Sequence, residues 1–200
     1  MSGFDTEKPE GGDPERLIPP APSEYGPSGL RPIKRLTSDD RLARINPETL
    51  AKTELHYYSA FAREFVRSDY NFCAAKMTLA RGGKLMALEA EFRNAEAFFR
   101  KALAWASRLH GRSIHLDPEA VTLEIKHPMS GRLVRLLTIY DQLFLKTMEA
   151  LVARTVIAHD RKSALESAEA RIKQIPFRCI PDNDRYTPEG ILLPDATEAH

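Results

Sequence analysis

Cysteine, tryptophan and long apolar runs are all scarce in this sequence. Of its 200 residues, two are cysteine and one is tryptophan. Cys73 and Cys179 are too few for a disulfide framework, and two unpaired thiols suit a reducing cytosol. Their ordinary role is that of small buried hydrophobes. No run of about eighteen apolar residues occurs, which excludes a spanning helix. The N-terminus is acidic and proline-rich without an apolar segment, so it does not read as a secretory signal. These absences predict a cytoplasmic protein without a membrane partner. Excess charge is missing too: the formal net charge is +1. That argues against a generally basic nucleic-acid coat and leaves room for a local basic patch.

The signatures of catalysis are also absent. There is no His-Glu-x-x-His, Cys-x-x-Cys, Gly-x-Ser-x-Gly or phosphate-loop spacing. Ala80-Arg-Gly-Gly-Lys84 has glycines but no preceding strand, and reads as a helix break. His110, His115 and His127 lack metal-ligand spacing and read as loop histidines. The sequence therefore predicts no metal, no cofactor and no enzyme.

What the chain does contain is a helical domain between two irregular ends. Apolar residues make up 42%, enough for a core. Residues 1–45 hold Pro9, Pro14, Pro19, Pro20, Pro22, Pro27 and Pro32 with five glycines. Such a composition offers little apolar surface to offset ordering, and predicts a disordered arm. Its end carries Arg31, Lys34, Arg35, Arg41 and Arg44, either a solvated linker or an arm that tracks phosphates. Residues 46–180 form the expected helical domain, and 181–200 the tail.

Within the domain, Asn46-Pro47 predicts a helix start, with Leu50, Leu55, Tyr58, Phe61 and Phe65 on one face to about Arg67. Ser68 or Asp69 then caps a second helix bearing Tyr70, Cys73 and Met77. After Gly82-Gly83 a long helix runs to Leu109, with Lys84, Glu89, Glu91, Arg93, Glu96 and Arg100 on its solvated side. The most apolar stripe spans Leu133, Leu136, Leu137, Tyr140, Phe144, Met148 and Leu151, capped by Ser130. It predicts the central helix. Asp141 is the oddity within it, either flanking and paired or a structural polar anchor at a subunit interface. A last helix carries Leu165, Ala168, Ile172 and Ile175, and closes at Pro176.

One strand signal interrupts this helical pattern. Val121-Thr-Leu-Glu-Ile-Lys126 alternates, and Pro128 ends it. A single strand leaves its backbone groups unpaired, so residues 121–126 are expected to pair with the same strand of a second copy. Val121, Leu123 and Ile125 would face the dimer interface and its following helices. Thr122, Glu124 and Lys126 would face out. Two antiparallel strands make a ribbon that fits the major groove. Arg132, Arg135, Arg161 and Lys162 are then candidates for phosphate contact, while a dimer contact without DNA is the alternative.

The run Ser68-Asp69-Tyr70, the strand, Pro128, Leu136-Leu-Thr-Ile-Tyr140-Asp141 and the later Val156-Ile-Ala-His159-Asp160-Arg161 together resemble the AcaB-like family. That family includes proteins of integrating conjugative elements and a regulator of conjugative plasmids. The resemblance implies a mainly α, ribbon-helix-helix-like transcriptional regulator of conjugative transfer genes, acting on double-stranded DNA as a dimer or tetramer. It implies base contacts from Thr122, Glu124 and Lys126, with Ser130 and Arg132 at the helix start. The sequence departs from an ordinary ribbon-helix-helix in that its second element runs on unbroken where that motif turns. Glu124 repels phosphate but can accept from cytosine. The alternative is a non-enzymatic helical oligomeric interaction protein of such an element, without DNA binding.

Overall fold

A computed structural model of the chain describes residues 49–194. These all belong to one compact unit, Ser38–His200. The proline- and glycine-rich arm, its basic cluster and the Asn46-Pro47 helix start lie outside the described residues. The described fold is mainly helical, with one two-stranded antiparallel sheet. In chain order it comprises β1 (Ala51–Tyr57), α1 (Ala60–Phe65), a π-helical turn (Val66–Tyr70), α2 (Asn71–Leu79), α3 (Gly83–Ala106), β2 (Glu119–Ile125), α4 (Pro128–Val152) and α5 (Ala158–Cys179).

The main correction concerns the partner of the strand. β2 pairs with β1 of the same chain, in a register that sets Lys52 opposite Glu124, Glu54 opposite Thr122 and Leu55 opposite Val121. Leu50 extends the ladder by donating its N–H to the Ile125 carbonyl at 2.8 Å. The segment read as the start of a helix is therefore a strand. Its residues alternate, with Leu55 and Tyr57 buried and Lys52, Glu54 and His56 exposed. Leu50, counted on the helical stripe, is 63% exposed. The backbone need that suggested a second copy is met inside one chain. The outer edge of β2 is engaged as well: the buried Tyr70 donates its hydroxyl to the Glu124 carbonyl at 3.0 Å.

The helices stack around α4, which packs on α2, α3, α5 and both strands. Of the expected stripe, Phe144, Met148 and Leu151 are half-buried, whereas Leu133, Leu136, Leu137 and Tyr140 are buried along it, with Leu143 beside them. They meet Phe92 and Phe99 of α3 and Ile172 and Ile175 of α5 in a single cluster. Ser68 caps nothing; the chain runs through the π-helical turn into α2, and the Ser68 hydroxyl donates to the Glu64 carbonyl. The cap of α4 is His127, whose Nδ1 accepts from the Met129 N–H at 3.2 Å, and Ser130 completes a capping box. Helix α5 continues through Pro176 to Cys179.

A tight turn separates α2 from α3, and glycine is required twice there. Gly82 has φ +54°, in the left-handed region, and a Cβ on Gly83 would lie 1.7 Å from the Thr187 carbonyl oxygen. The second contact docks the tail on the start of α3. Lys84, expected in solvent, is 2% exposed. Its ammonium donates to the carbonyls of Cys179 at 2.7 Å and Pro181 at 2.6 Å. Burial pushes the pKa of this ammonium down. Glu91, also assigned to the solvated side, is 8% exposed and faces Arg178 at 3.5 Å.

Candidate nucleic-acid interface

The β1–β2 ribbon has two chemically distinct faces. Toward the core, Leu55 and Leu123 are buried, and Val121 and Ile125 pack against the same cluster. The side chains expected at a dimer interface therefore rest on the chain's own helices. Toward solvent lie Lys52, Glu54 and His56 of β1 and Thr122 and Glu124 of β2. The β1 contribution was missed in the sequence because residues 51–57 fit a helical stripe. Their period-two alternation was the signal that identifies them.

Glu124 is the centre of this outward face. It accepts from the Thr49 hydroxyl at 3.3 Å, and the ammonium groups of Lys52 and Lys126 each approach it to 3.8 Å. Lys52 is 67% exposed, so its pair is a solvated one. Pairs of that kind contribute about 0–1 kcal/mol and are readily exchanged for another anion. Thr122 is exposed beside them. The ribbon thus presents lysine, histidine and threonine donors together with glutamate acceptors, and no strong excess of either charge.

The expected phosphate contacts are not assembled at one place. Ser130 is fully buried, and its hydroxyl donates to the His127 carbonyl at 2.7 Å. Arg132 is held by α3: it donates to Glu96 at 2.8 and 3.0 Å and to Glu89 at 2.7 Å, over the Phe92 ring. Arg135 is exposed beside a groove of about 380 Å³ that Arg100, Leu103 and Ile139 also line. Arg161 lies over the Phe144 ring at 4.8 Å, and Lys162 sits 3.7 Å from Glu166 in solvent. Arg161 is thus held one turn along α4 from the Asp141 that bonds Tyr58 at the end of β1, and neither it nor Lys162 joins the cluster about Glu124.

The Arg132 fork has a measurable consequence. Its hydrogen bonds to Glu96 hold that carboxyl below its usual value of 4.5. A lowered folded pKa contributes stability above the unfolded value, lost as pH falls through the folded one. The urea midpoint should therefore drop between about pH 5 and pH 3, and Glu96→Gln should flatten part of that slope. An identical acid slope in the variant would remove Glu96 from the account.

Asp141 is 3% exposed and acts as an anchor within the subunit. Its carboxylate accepts from the backbone N–H groups of Tyr58 at 2.6 Å and Ser59 at 3.0 Å. Ser59 in turn caps α1, with its hydroxyl accepting from the Ala62 N–H. Beside it, Tyr140 donates to Glu169 at 2.8 Å, and burial pushes its phenol pKa up. Among the described residues no group of three His, Cys, Asp or Glu is placed to hold a metal ion. No described helix is long and apolar enough to cross a membrane.

Comparison with known proteins yields little at the sequence level: no family model and no curated protein matches the chain. Among solved structures, the chain is similar to the crystal structure of selenomethionine-containing AcaB from uropathogenic E. coli. The two share 14% identity over 68% of this chain and 79% of that one, with a TM-score of 0.46.

Proposed function

We propose that the chain is a DNA-binding regulatory protein that lays its β1–β2 ribbon in the major groove. The observation that carries this reading is a two-stranded antiparallel ribbon with one face on the core and the other in solvent. An antiparallel ribbon is one of the shapes the major groove admits. Here both strands come from one chain, so the ribbon does not wait on a dimer. Lys52, His56, Thr122, Glu124 and Lys126 are its base-reading candidates. Phosphate contact falls to the basic run Arg31 to Arg44, which precedes β1 in sequence, rather than to Ser130 or Arg132. The reading has no catalytic step. In keeping with that, the buried Asp141 and Lys84 are committed to hydrogen bonds within the chain.

A second reading is an interaction protein without DNA affinity, in which the helical unit is a scaffold. The pairing of Lys52 and Lys126 with Glu124, and of Arg132 with Glu89 and Glu96, favours it. Fluorescence anisotropy with duplex DNA of promoter regions separates the two. The first reading predicts binding that weakens steeply with salt. It also predicts a loss of about thirtyfold or more in Lys52→Ala/Thr122→Ala, at about 1–3 kcal/mol for each of the two contacts removed. No complex at low salt, or unchanged affinity in the variant, would support the scaffold instead.

A further inference from the structure

Helices α3 and α4 pack on one another and leave an open groove of about 380 Å³ between them. Each helix contributes the same spacing to it. On α3 the lining residues are Glu96, Phe99, Arg100 and Leu103; on α4 they are Arg132, Arg135, Leu136 and Ile139. Positions i, i+3, i+4 and i+7 share one helix face. Each wall is therefore two turns long, roughly 10 Å at 1.5 Å per residue. The apolar members make the floor: Phe99 and Leu136 are buried, and Leu103 and Ile139 are half-buried.

The charge of this groove is lopsided. Three arginines and one carboxylate line it. The carboxylate, Glu96, is spent on Arg132, which donates to it at 2.8 and 3.0 Å. That pair leaves Arg100 on one wall and Arg135 on the other. Both are exposed, and among the described residues neither has a hydrogen bond or an ion pair. A guanidinium fits a carboxylate bidentately. Two unspent guanidiniums on either side of an apolar strip are the complement of an apolar stripe with carboxylates on both flanks. An amphipathic helix with acidic flanks has that pattern, and two-helix grooves hold such helices through anchors at i, i+3, i+4 and i+7. A duplex backbone supplies anions but brings no apolar surface to cover Leu103 and Ile139. The groove therefore favours protein over nucleic acid.

We propose that the α3–α4 groove is the docking site for an acidic amphipathic helix of a partner protein. The apolar stripe of that helix lies on Leu103 and Ile139, and its flanking carboxylates take Arg100 and Arg135. Arg132 and Glu96 brace the wall through their own pair. The inference does not rest on the DNA reading: the outward face of the ribbon and this groove use different residues, so a chain bound at one is free to bind at the other.

The test is fluorescence anisotropy on the full chain. The probe is a fluorescein-labelled helical peptide with leucine at i, i+4 and i+7 and glutamate on both flanks. The site predicts saturable binding that weakens with salt. Arg100→Glu/Arg135→Glu should lose affinity by about tenfold or more, because carboxylates then face carboxylates. A peptide with lysine in place of glutamate should bind that variant and not the original chain, a rescue that an unfolded variant cannot give. If the reversal does not fold, Arg100→Gln/Arg135→Gln takes its place, with a smaller loss expected. A probe with serine in place of leucine should bind about tenfold more weakly. No saturable binding, equal affinity in the arginine variant, or equal affinity of the leucine-free probe would overturn the proposal. So would an arginine variant that loses affinity for duplex DNA and not for the peptide, which would assign Arg100 and Arg135 to phosphate.

Discussion

Replacing Asp141 with alanine is expected to lower the unfolding free energy by about 3–5 kcal/mol, because two charge-assisted hydrogen bonds are lost and a buried and a part-buried donor are stranded. The carboxylate is 3% exposed and holds the N–H groups of Tyr58 and Ser59, the corner where β1 turns into α1. The loss is a large share of the 5–15 kcal/mol that holds an ordinary domain together. Asp141→Asn keeps one acceptor and should recover part of it. Because the corner seats β1, amides of residues 51–57 should lose hydrogen-exchange protection ahead of those in α3 and α4. Urea denaturation checks the magnitude; a loss below about 1 kcal/mol would mean that Asp141 is not the anchor.

Lys84→Met carries the second large effect, an expected loss of about 2–4 kcal/mol. Methionine keeps the unbranched stem and the burial, and removes the ammonium. The carbonyls of Cys179 and Pro181 then lose their donor. They belong to the C-terminal end of α5, where positive charge also complements the helix dipole. Residues 180–194 dock through this lysine and the Gly83–Thr187 approach, so the tail should become protease-sensitive before the helices do. An unchanged urea midpoint together with an intact tail would contradict this role.

Both residues show where the sequence stops being informative. The stripes of α3 and α4 and the alternation of β2 are local patterns, and each is legible by counting. β1 does alternate, but Leu50, Leu55, Tyr58, Phe61 and Phe65 also recur at helical spacing, so the local pattern alone does not decide between helix and strand. Its state is set by pairing with residues more distant in the chain, the ordinary way tertiary context overrides strand propensity. The partners of Asp141 and Lys84 are backbone groups of remote segments, which no side-chain motif announces. Of the candidate site, the outward positions Thr122 and Glu124 follow from alternation, whereas Lys52, Glu54 and His56 enter only through the register. Arg132 reads as a phosphate contact until Glu89 and Glu96 of α3 are seen to enclose it.

The central claim is that the outward face of a single-chain ribbon meets DNA bases. Site-specific photo-cross-linking to duplex DNA tests it most directly, with the probe placed at Thr122 on the ribbon or at the exposed Gln142 on α4. The account predicts cross-links to bases from position 122 and none from position 142. Cross-links absent from 122 while the chain is bound to DNA would contradict it.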